Sequence, residues 1–370
     1  TLVGSESAVV VNGRSFSHLE VAELALQLNA NNAYNWFAMG CSLSDHGKPT
    51  CIVHDEEFTA QVLFVEALKR DPTLVNAWFK LGTTVAAGDS IGVNGAMFSE
   101  QQLYIEALKR DSAHASAWNR LGLTVPVGES IRVNADVYTK QELYLEALKH
   151  DPTDANAWFN LGARLTSGES IRVNGDVYTK QQIYLEALKN SPKDANAWFN
   201  LAVTLSTGES VRVNDVTYAK QQLYLEALKH NSQHASAWFN LGSSLHHGES
   251  IGVNGISYTK QELSVEALRH NSHHASAWFK LGHTLPAGES ILVNGLRYTQ
   301  QELYLEALNH NFQHAGTWLN LGVNLREDES INVNGTTYTR QQLFIETLRH
   351  NSKEANAWNN LATTVATDES

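Results

Sequence analysis

The sequence predicts a mainly α-helical solenoid built from repeated helix pairs, with a β-hairpin in every repeat. Three observations lead there. Nine tryptophans recur along the 370 residues: Trp36, Trp78, Trp118, Trp158, Trp198, Trp238, Trp278, Trp318 and Trp358. From Trp78 onward the spacing is 40 residues, and the first gap is 42. A period of this length marks stacked supersecondary units, each burying an apolar face on its neighbours. Between the tryptophans lie an Asn-Gly hairpin signal and two helix patterns with their own start signals. The period divides the chain into a single solenoid of nine hairpin–helix–helix units, at about 7–47, 48–89, 90–129, 130–169, 170–209, 210–249, 250–289, 290–329 and 330–370.

Each element follows from local chemistry. In the fifth unit, Glu169 to Thr179 centres on Asn174-Gly175, the dipeptide favoured in a two-residue type I′ turn. That register sets Ile171 opposite Tyr178 and Val173 opposite Asp176. Ile171, Val173 and Tyr178 then face inward while Arg172 and Val177 face out. Asn12-Gly13, Asn94-Gly95, Asn254-Gly255, Asn294-Gly295 and Asn334-Gly335 keep the signal. Asn134-Ala135 and Asn214-Asp215 vary it, and the second unit departs further at His54-Asp55.

A helix follows at once. Thr179 is suited to the N-cap, and Gln182 three residues on completes a capping box. Thr139 with Glu142, Thr259 with Glu262 and Thr299 with Glu302 repeat it with a carboxylate. Ile183, Leu185, Ala187 and Leu188 form the apolar face, and Pro192 stops the helix. A second helix starts near Asp194 and ends before Gly208, which suits a left-handed C-cap.

Composition narrows the function. Formal charge is −12 and the isoelectric point near 5.7, which disfavours general binding to nucleic acid or acidic membranes. No run approaches the ~18 apolar residues of a membrane span. Two cysteines, Cys41 and Cys51, are too few for a disulfide-stapled secreted scaffold. The start at Thr1 shows no signal-like segment, so the expected setting is intracellular, in the cytoplasm. The closing Glu369-Ser370 is the pair that opens the hairpins elsewhere, so the chain reads as a piece of a longer array.

Trp158 to Gly162 reads WFNLG, and Tyr184, Ala187, Leu188 and Pro192 follow at set distances. This pattern resembles the tetratricopeptide repeat, W-x2-L-G followed by an aromatic, Ala and Pro. The resemblance covers all nine units. It differs in length, 40 residues against the usual 34, with the six extra residues lying at the hairpin between the two helices. Lys140 or Lys180 stands where the family keeps a small residue at the start of its second helix. The resemblance implies a right-handed superhelix and a protein–protein interaction scaffold whose concave groove is lined by the first helix of each repeat.

On the Trp158 helix, Ala157, Trp158, Leu161 and Leu165 share one stripe and form the core. Asn156, Phe159, Asn160, Ala163 and Ser167 occupy the opposite face, which resembles the groove wall. Its most regular position holds Asn160, Asn200, Asn240, Asn320 and Asn360, with Lys80, Arg120 and Lys280 in other units. An amide both donates and accepts, so a ladder of amides suits the backbone of an extended peptide. Lys80, Arg120 and Lys280 would add anchors for carboxylates. The alternative is that the asparagines bond neighbouring units. Beside them stand Phe37, Phe79, Phe159, Phe199, Phe239 and Phe279, changing to Asn119, Leu319 and Asn359. These aromatics either wall a binding pocket or pack on the adjacent unit.

Sixteen histidines raise the question of metal. His230 with His234, His270 with His274 and His310 with His314 bracket the loop between helices. His150, His230, His270, His310 and His350 close a helix, where a cationic ring meets the negative dipole end. Rings in different units are expected to lie too far apart to share an ion. Cys41, His46, Cys51 and His54 supply Cys2His2-type donors at the irregular second unit, but their spacing matches no standard zinc signature; a disulfide is the other reading. Glu146, Glu186, Glu226 and Glu266 read as solvated or interhelical, and Arg132, Arg172 and Arg212 as a basic stripe on three hairpins. No phosphate-loop or nucleophile-elbow motif occurs, so neither an enzyme nor a cofactor is expected. The sequence therefore points to a scaffold for a protein or peptide partner, the alternative being a structural array that closes into a ring or self-associates.

Overall fold

The computed structural model describes residues 9–11, 14–53, 56–246 and 248–368. Asn12-Gly13, His54, Asp55, Glu369 and Ser370 lie outside the described residues. The architecture is mainly helical. Among the described residues, a two-stranded antiparallel hairpin and two helices recur along the whole chain, and every sheet is one such hairpin. The chain divides into two compact units, Thr1–Asn190 and Ser191–Ser370.

The hairpins form in the expected register: Ile171 pairs with Tyr178, Arg172 with Val177 and Val173 with Asp176. Val173 is buried and Arg172 and Val177 are exposed, so the pleat sorts the two faces as the alternation requires. Asn174 and Gly175 take φ of 49° and 101°, the left-handed pair that a type I′ turn demands. The asparagine has a second use. Asn94, Asn174 and Asn294 donate their side-chain amides to Leu68, Leu148 and Leu268 carbonyls at 3.2, 2.9 and 3.1 Å, closing the ends of the helices Ala60–Arg70, Lys140–His150 and Lys260–His270 in the preceding repeat.

Each hairpin runs straight into the helix that carries the buried tyrosine, for example Lys180–Asn190. Thr179 accepts from the Gln182 backbone while Gln182 accepts from the Thr179 backbone, the reciprocal capping box. Thr139, Thr259 and Thr299 do the same with their glutamates. The apolar face of this helix is Ile183, Tyr184, Ala187 and Leu188; Tyr184 rather than Leu185 completes the core.

The tryptophan helix, such as Ala155–Arg164, buries Ala157, Trp158 and Leu161. It ends sooner than Gly208 and its equivalents suggest. The Ala195–Thr204 helix stops at Leu205, whose extended backbone (φ −82°, ψ 139°) turns the side chain into the core. Gly208 instead takes φ 86° inside the following turn, where Glu209 N–H bonds the Ser206 carbonyl at 3.2 Å. A helix continuing to Gly208 would pull Leu205 off the core.

The unusual lysine at the start of the tyrosine helix closes the carbonyls that this early stop leaves open. Lys180, Lys220 and Lys260 donate to Leu165, Leu205 and Leu245 carbonyls at 2.8, 2.8 and 2.9 Å. Gln101, Gln221 and Gln261, one residue later in the helix, reach the end of the next tryptophan helix at Thr124, Ser244 and Thr284. Lysine at this place is long enough to reach the helix end across the hairpin.

The glycine of the W-x2-L-G pattern packs closely against a ring. A Cβ on Gly122 would meet the Tyr144 ring at 2.6 Å, so that ring lies directly on the helix backbone. At the equivalent place Ala202 is fully buried with Tyr224 retained, which shows that one methyl can be absorbed. Gly122→Ala is therefore expected to stay within about 1 kcal/mol of wild type, crowding being offset by helix propensity. Gly122→Val is expected to cost about 3 kcal/mol by overpacking. Urea unfolding followed at the first unit distinguishes them, and equal stabilities would overturn the close packing of ring on backbone.

Candidate functional site

The exposed face of the tryptophan helices presents the asparagine ladder, and the structure places its members in unequal settings. Asn160, Asn200, Asn240, Asn320 and Asn360, with Lys80 and Lys280, are half-buried, and Arg120 is exposed. Asn160 donates to the Asn119 side chain at 2.9 Å, so one edge of its amide is spent on the neighbouring repeat. Asn119 in turn reaches Asp154 at 3.4 Å, giving a polar chain across two repeats that sequence inspection did not single out. Its signal was the loss of phenylalanine at position 119 beside an aspartate cap. The Asn240 and Asn320 amides lie close enough to Tyr224 and Tyr304 to oppose the effect of burial, which raises both phenols. Burial lowers the Lys280 ammonium from its ordinary range, with Lys260 nearby adding to it.

Two clefts open at equivalent places, one in each unit. The first, about 600 Å3, is lined by Gly88, Glu100, Gln101, Arg120 and Leu123. The second, about 710 Å3, is lined by Val203, Lys220, Gln221, Tyr224, Asn240 and Ser243. Arg120 and Asn240 hold the same position of the repeat, as do Gln101 and Gln221. Each cleft thus combines a ladder residue, the start of a tyrosine helix and an apolar wall, the mixed lining of small ligand sites.

The phenylalanines beside the ladder make contacts within the protein. Phe159 lies against Tyr184 with ring centroids 6.0 Å apart, and Phe199 against Tyr224 at 5.8 Å. Phe79, Phe199, Phe239 and Phe279 also meet His114, His234, His274 and His314 of the next repeat at 4.8, 4.7, 4.8 and 4.5 Å. Each of these histidines is the N-cap of its tryptophan helix, its Nδ1 accepting a backbone N–H at 3.1–3.3 Å. Asp154 and Asp194 take the same place in other repeats, which is how the role could have been read from the repeat alignment.

The other polar candidates are dispersed. Among the described residues, no three His, Cys, Asp or Glu side chains form a group able to hold a metal ion. Cys41 and Cys51 are free and half-buried, and burial pushes both thiols up. His46 Nδ1 lies 2.7 Å from the Ser42 carbonyl. The expectation that rings in different repeats stay apart is overturned: His273 and His310 are 4.8 Å apart, because the loop of one repeat sits under the helix end of the next. Glu146, Glu226 and Glu266 each pair with a Lys or Arg and lie 3.7–3.8 Å from a histidine at the helix end. Arg172 bonds its own turn at Gly175 O, 2.6 Å away, and Arg212 its own Asp215 at 2.8 Å.

The tetratricopeptide repeat family matches residues 143–167 and 183–221. No curated protein matches the sequence at a significant level. Among solved structures, YrrB, described as a TPR protein with an unusual peptide-binding site, is 12% identical over 70% of this chain and 96% of its own, with a TM-score of 0.28. Yeast Tom70 is 10% identical over 95% of this chain and 78% of its own, with a TM-score of 0.37. No helix among the described residues is long and apolar enough to cross a membrane.

The packing of the aromatic row separates it from the ladder energetically. Phe239→Ala is expected to destabilise the protein by about 2–3 kcal/mol, less than the 3–5 kcal/mol of a fully buried ring. Asn200→Ala is expected to stay within about 0.5 kcal/mol. Urea titrations of both variants test this, and a neutral Phe239→Ala would return that ring to the role of an exposed pocket wall.

Proposed function

We propose that this array of tetratricopeptide-type repeats is a protein-interaction scaffold that holds an extended peptide along the exposed face of its tryptophan helices. The observation that carries the reading is the pair of equivalent clefts beside Arg120 and Asn240. The two clefts lie three repeats apart at the same position of the repeat, and the ladder between them offers amides at which the backbone of an extended peptide can bond. Asn160, Asn200, Asn240, Asn320 and Asn360 supply paired donors and acceptors for peptide groups. Lys80, Arg120 and Lys280 supply cations for acidic side chains. Phe159, Phe199 and Phe239 support the reading from behind, since their rings fix the helices that bear the ladder. The net charge of −12 works against nucleic acid as the partner.

Selection of binders from a phage-displayed random peptide library tests the proposal. Selected peptides are expected to bind the Asn160→Ala, Asn200→Ala, Asn240→Ala triple variant at least about tenfold more weakly, roughly 1.4 kcal/mol. Far-ultraviolet circular dichroism establishes that the variant is folded. Unchanged affinity in a folded variant removes the ladder from the binding surface.

A further inference from the structure

We infer that the histidine N-caps of the second unit, His234, His274 and His314, form an acid-responsive latch that loosens the stacking of successive repeats. The geometry ties each imidazole to two tasks at once. Its Nδ1 accepts the N–H of Ala237, Ala277 or Thr317 at 3.1, 3.3 and 3.2 Å, closing the start of a tryptophan helix. Its ring packs on Phe199, Phe239 or Phe279 of the preceding repeat, at 4.7, 4.8 and 4.5 Å. The cap therefore requires a neutral ring with a lone pair on Nδ1. Protonation fills that lone pair, orphans the helix N–H and sets a cation at the positive end of the helix dipole. A single proton thus opposes both the cap and the helix it begins.

The surroundings act in the same direction. Burial is the largest influence and holds all three imidazoles below their ordinary value, against a backbone hydrogen bond within each residue that raises it and, at His234, the charge of Asp194. The polar neighbour of His314 is the Thr317 hydroxyl, 2.8 Å from its Nδ1. His283 stacks on Phe279 at 6.0 Å, and Tyr304 packs on the same ring at 6.0 Å, so both belong to that cluster. In the first unit His114 makes the same cap, with Asp111 nearby and Asn76 at 3.1 Å from its Nε2. Elsewhere in that unit Asp154 and Asn32 hold the cap position, one a carboxyl group that burial raises above its ordinary range and the other an amide that does not titrate.

Because the folded value lies below the unfolded one, near 6.5, the two states bind protons equally at higher pH. As pH falls below about 6.5 the unfolded segment takes up protons that the folded cap refuses, and stability drops until the folded value is passed. The helix-ending His230, His270 and His310 lie 3.7–3.8 Å from Glu226, Glu266 and Glu306 and are further histidines of the same repeats. A test must therefore isolate the caps. Asn240, Lys280 and Asn320 ride on the same three helices, so the latch would also pass acidity on to a peptide; that coupling alone rests on the proposed groove.

Hydrogen exchange of the full chain at about pH 7.5 and about pH 5, corrected for intrinsic rates, reads the latch without any partner. Protection over 234–240, 274–280 and 314–320 is expected to fall at least about tenfold on acidification. The His234→Asn, His274→Asn, His314→Asn variant is expected to lose most of that fall, since an asparagine already caps a tryptophan helix at Asn32, its side chain accepting the Tyr34 N–H. An equal fall in the variant, or undiminished protection in wild type, overturns the inference. Nitrogen-15 spectra of the wild-type imidazoles give a second reading that does not depend on the variant folding. Nδ1 of these rings protonated at neutral pH would equally overturn it.

Discussion

The indole of each tryptophan is the joint on which the rest of the structure depends. Its Nε1 donates to the carbonyl six residues earlier, as Trp158 does to Pro152 and Trp238 to Ser232, both at 2.8 Å. This bond fixes the loop between repeats and satisfies the only polar atom of a ring that is otherwise core. The hairpin aromatic then closes on the ring: Tyr138 on Trp118, Tyr258 on Trp238 and Tyr338 on Trp318, at 5.0, 5.2 and 5.1 Å. In the first repeats Arg70 and Arg110 cover Trp36 and Trp78 at 4.3 and 4.6 Å, and their Nε atoms donate to the same carbonyls that accept the indoles. Later, His270 and His350 stack on Trp238 and Trp318 in that place. Loop, hairpin and two helices therefore meet on one side chain. Trp358, which no hairpin aromatic covers among the described residues, is 56% exposed, whereas Trp318 is fully buried.

The hairpin changes what the ends of the helices must do. A short turn would leave the two helices of a repeat to close each other's ends through a small residue. Here the chain leaves the tryptophan helix early to bury Leu165 or Leu205, and the open carbonyls are met by a lysine from the next repeat. Glutamine from the preceding tyrosine helix meets the end of the next tryptophan helix. These side chains line the clefts beside Arg120 and Asn240, so the residues that complete the backbone also shape the surface offered to a partner. A ligand group entering there would meet amides already held in place, which limits the ordering cost of binding.

The repeat made most of the local structure legible. Period, turn dipeptide and capping pair each constrain only a few neighbouring residues, and each was visible in the letters of one unit. Side chains acting across repeats were harder. The phenylalanine row reads equally as pocket wall or packing from a helical wheel, because the wheel gives direction without giving the neighbour. His234 and its equivalents look like residues near a helix start, yet cap and aromatic contact follow only when the next repeat is in position. The separation assumed between histidines of different repeats failed at His273 and His310 for the same reason: the loop of one repeat lies beneath the helix end of the next.

The sequence by itself determined the repeat, the hairpin register through Asn174-Gly175, the starts of the helices and the apolar stripe headed by tryptophan. Those features depend on interactions within a few residues of chain, whose partners are fixed by sequence spacing. Tertiary structure decided where the tryptophan helices stop, why lysine opens the tyrosine helices, and which polar groups on the exposed face are already paired. Those outcomes depend on atoms about 15 to 41 residues apart, such as Lys180 with Leu165 or Asn160 with Asn119, and only packing brings them within bonding distance.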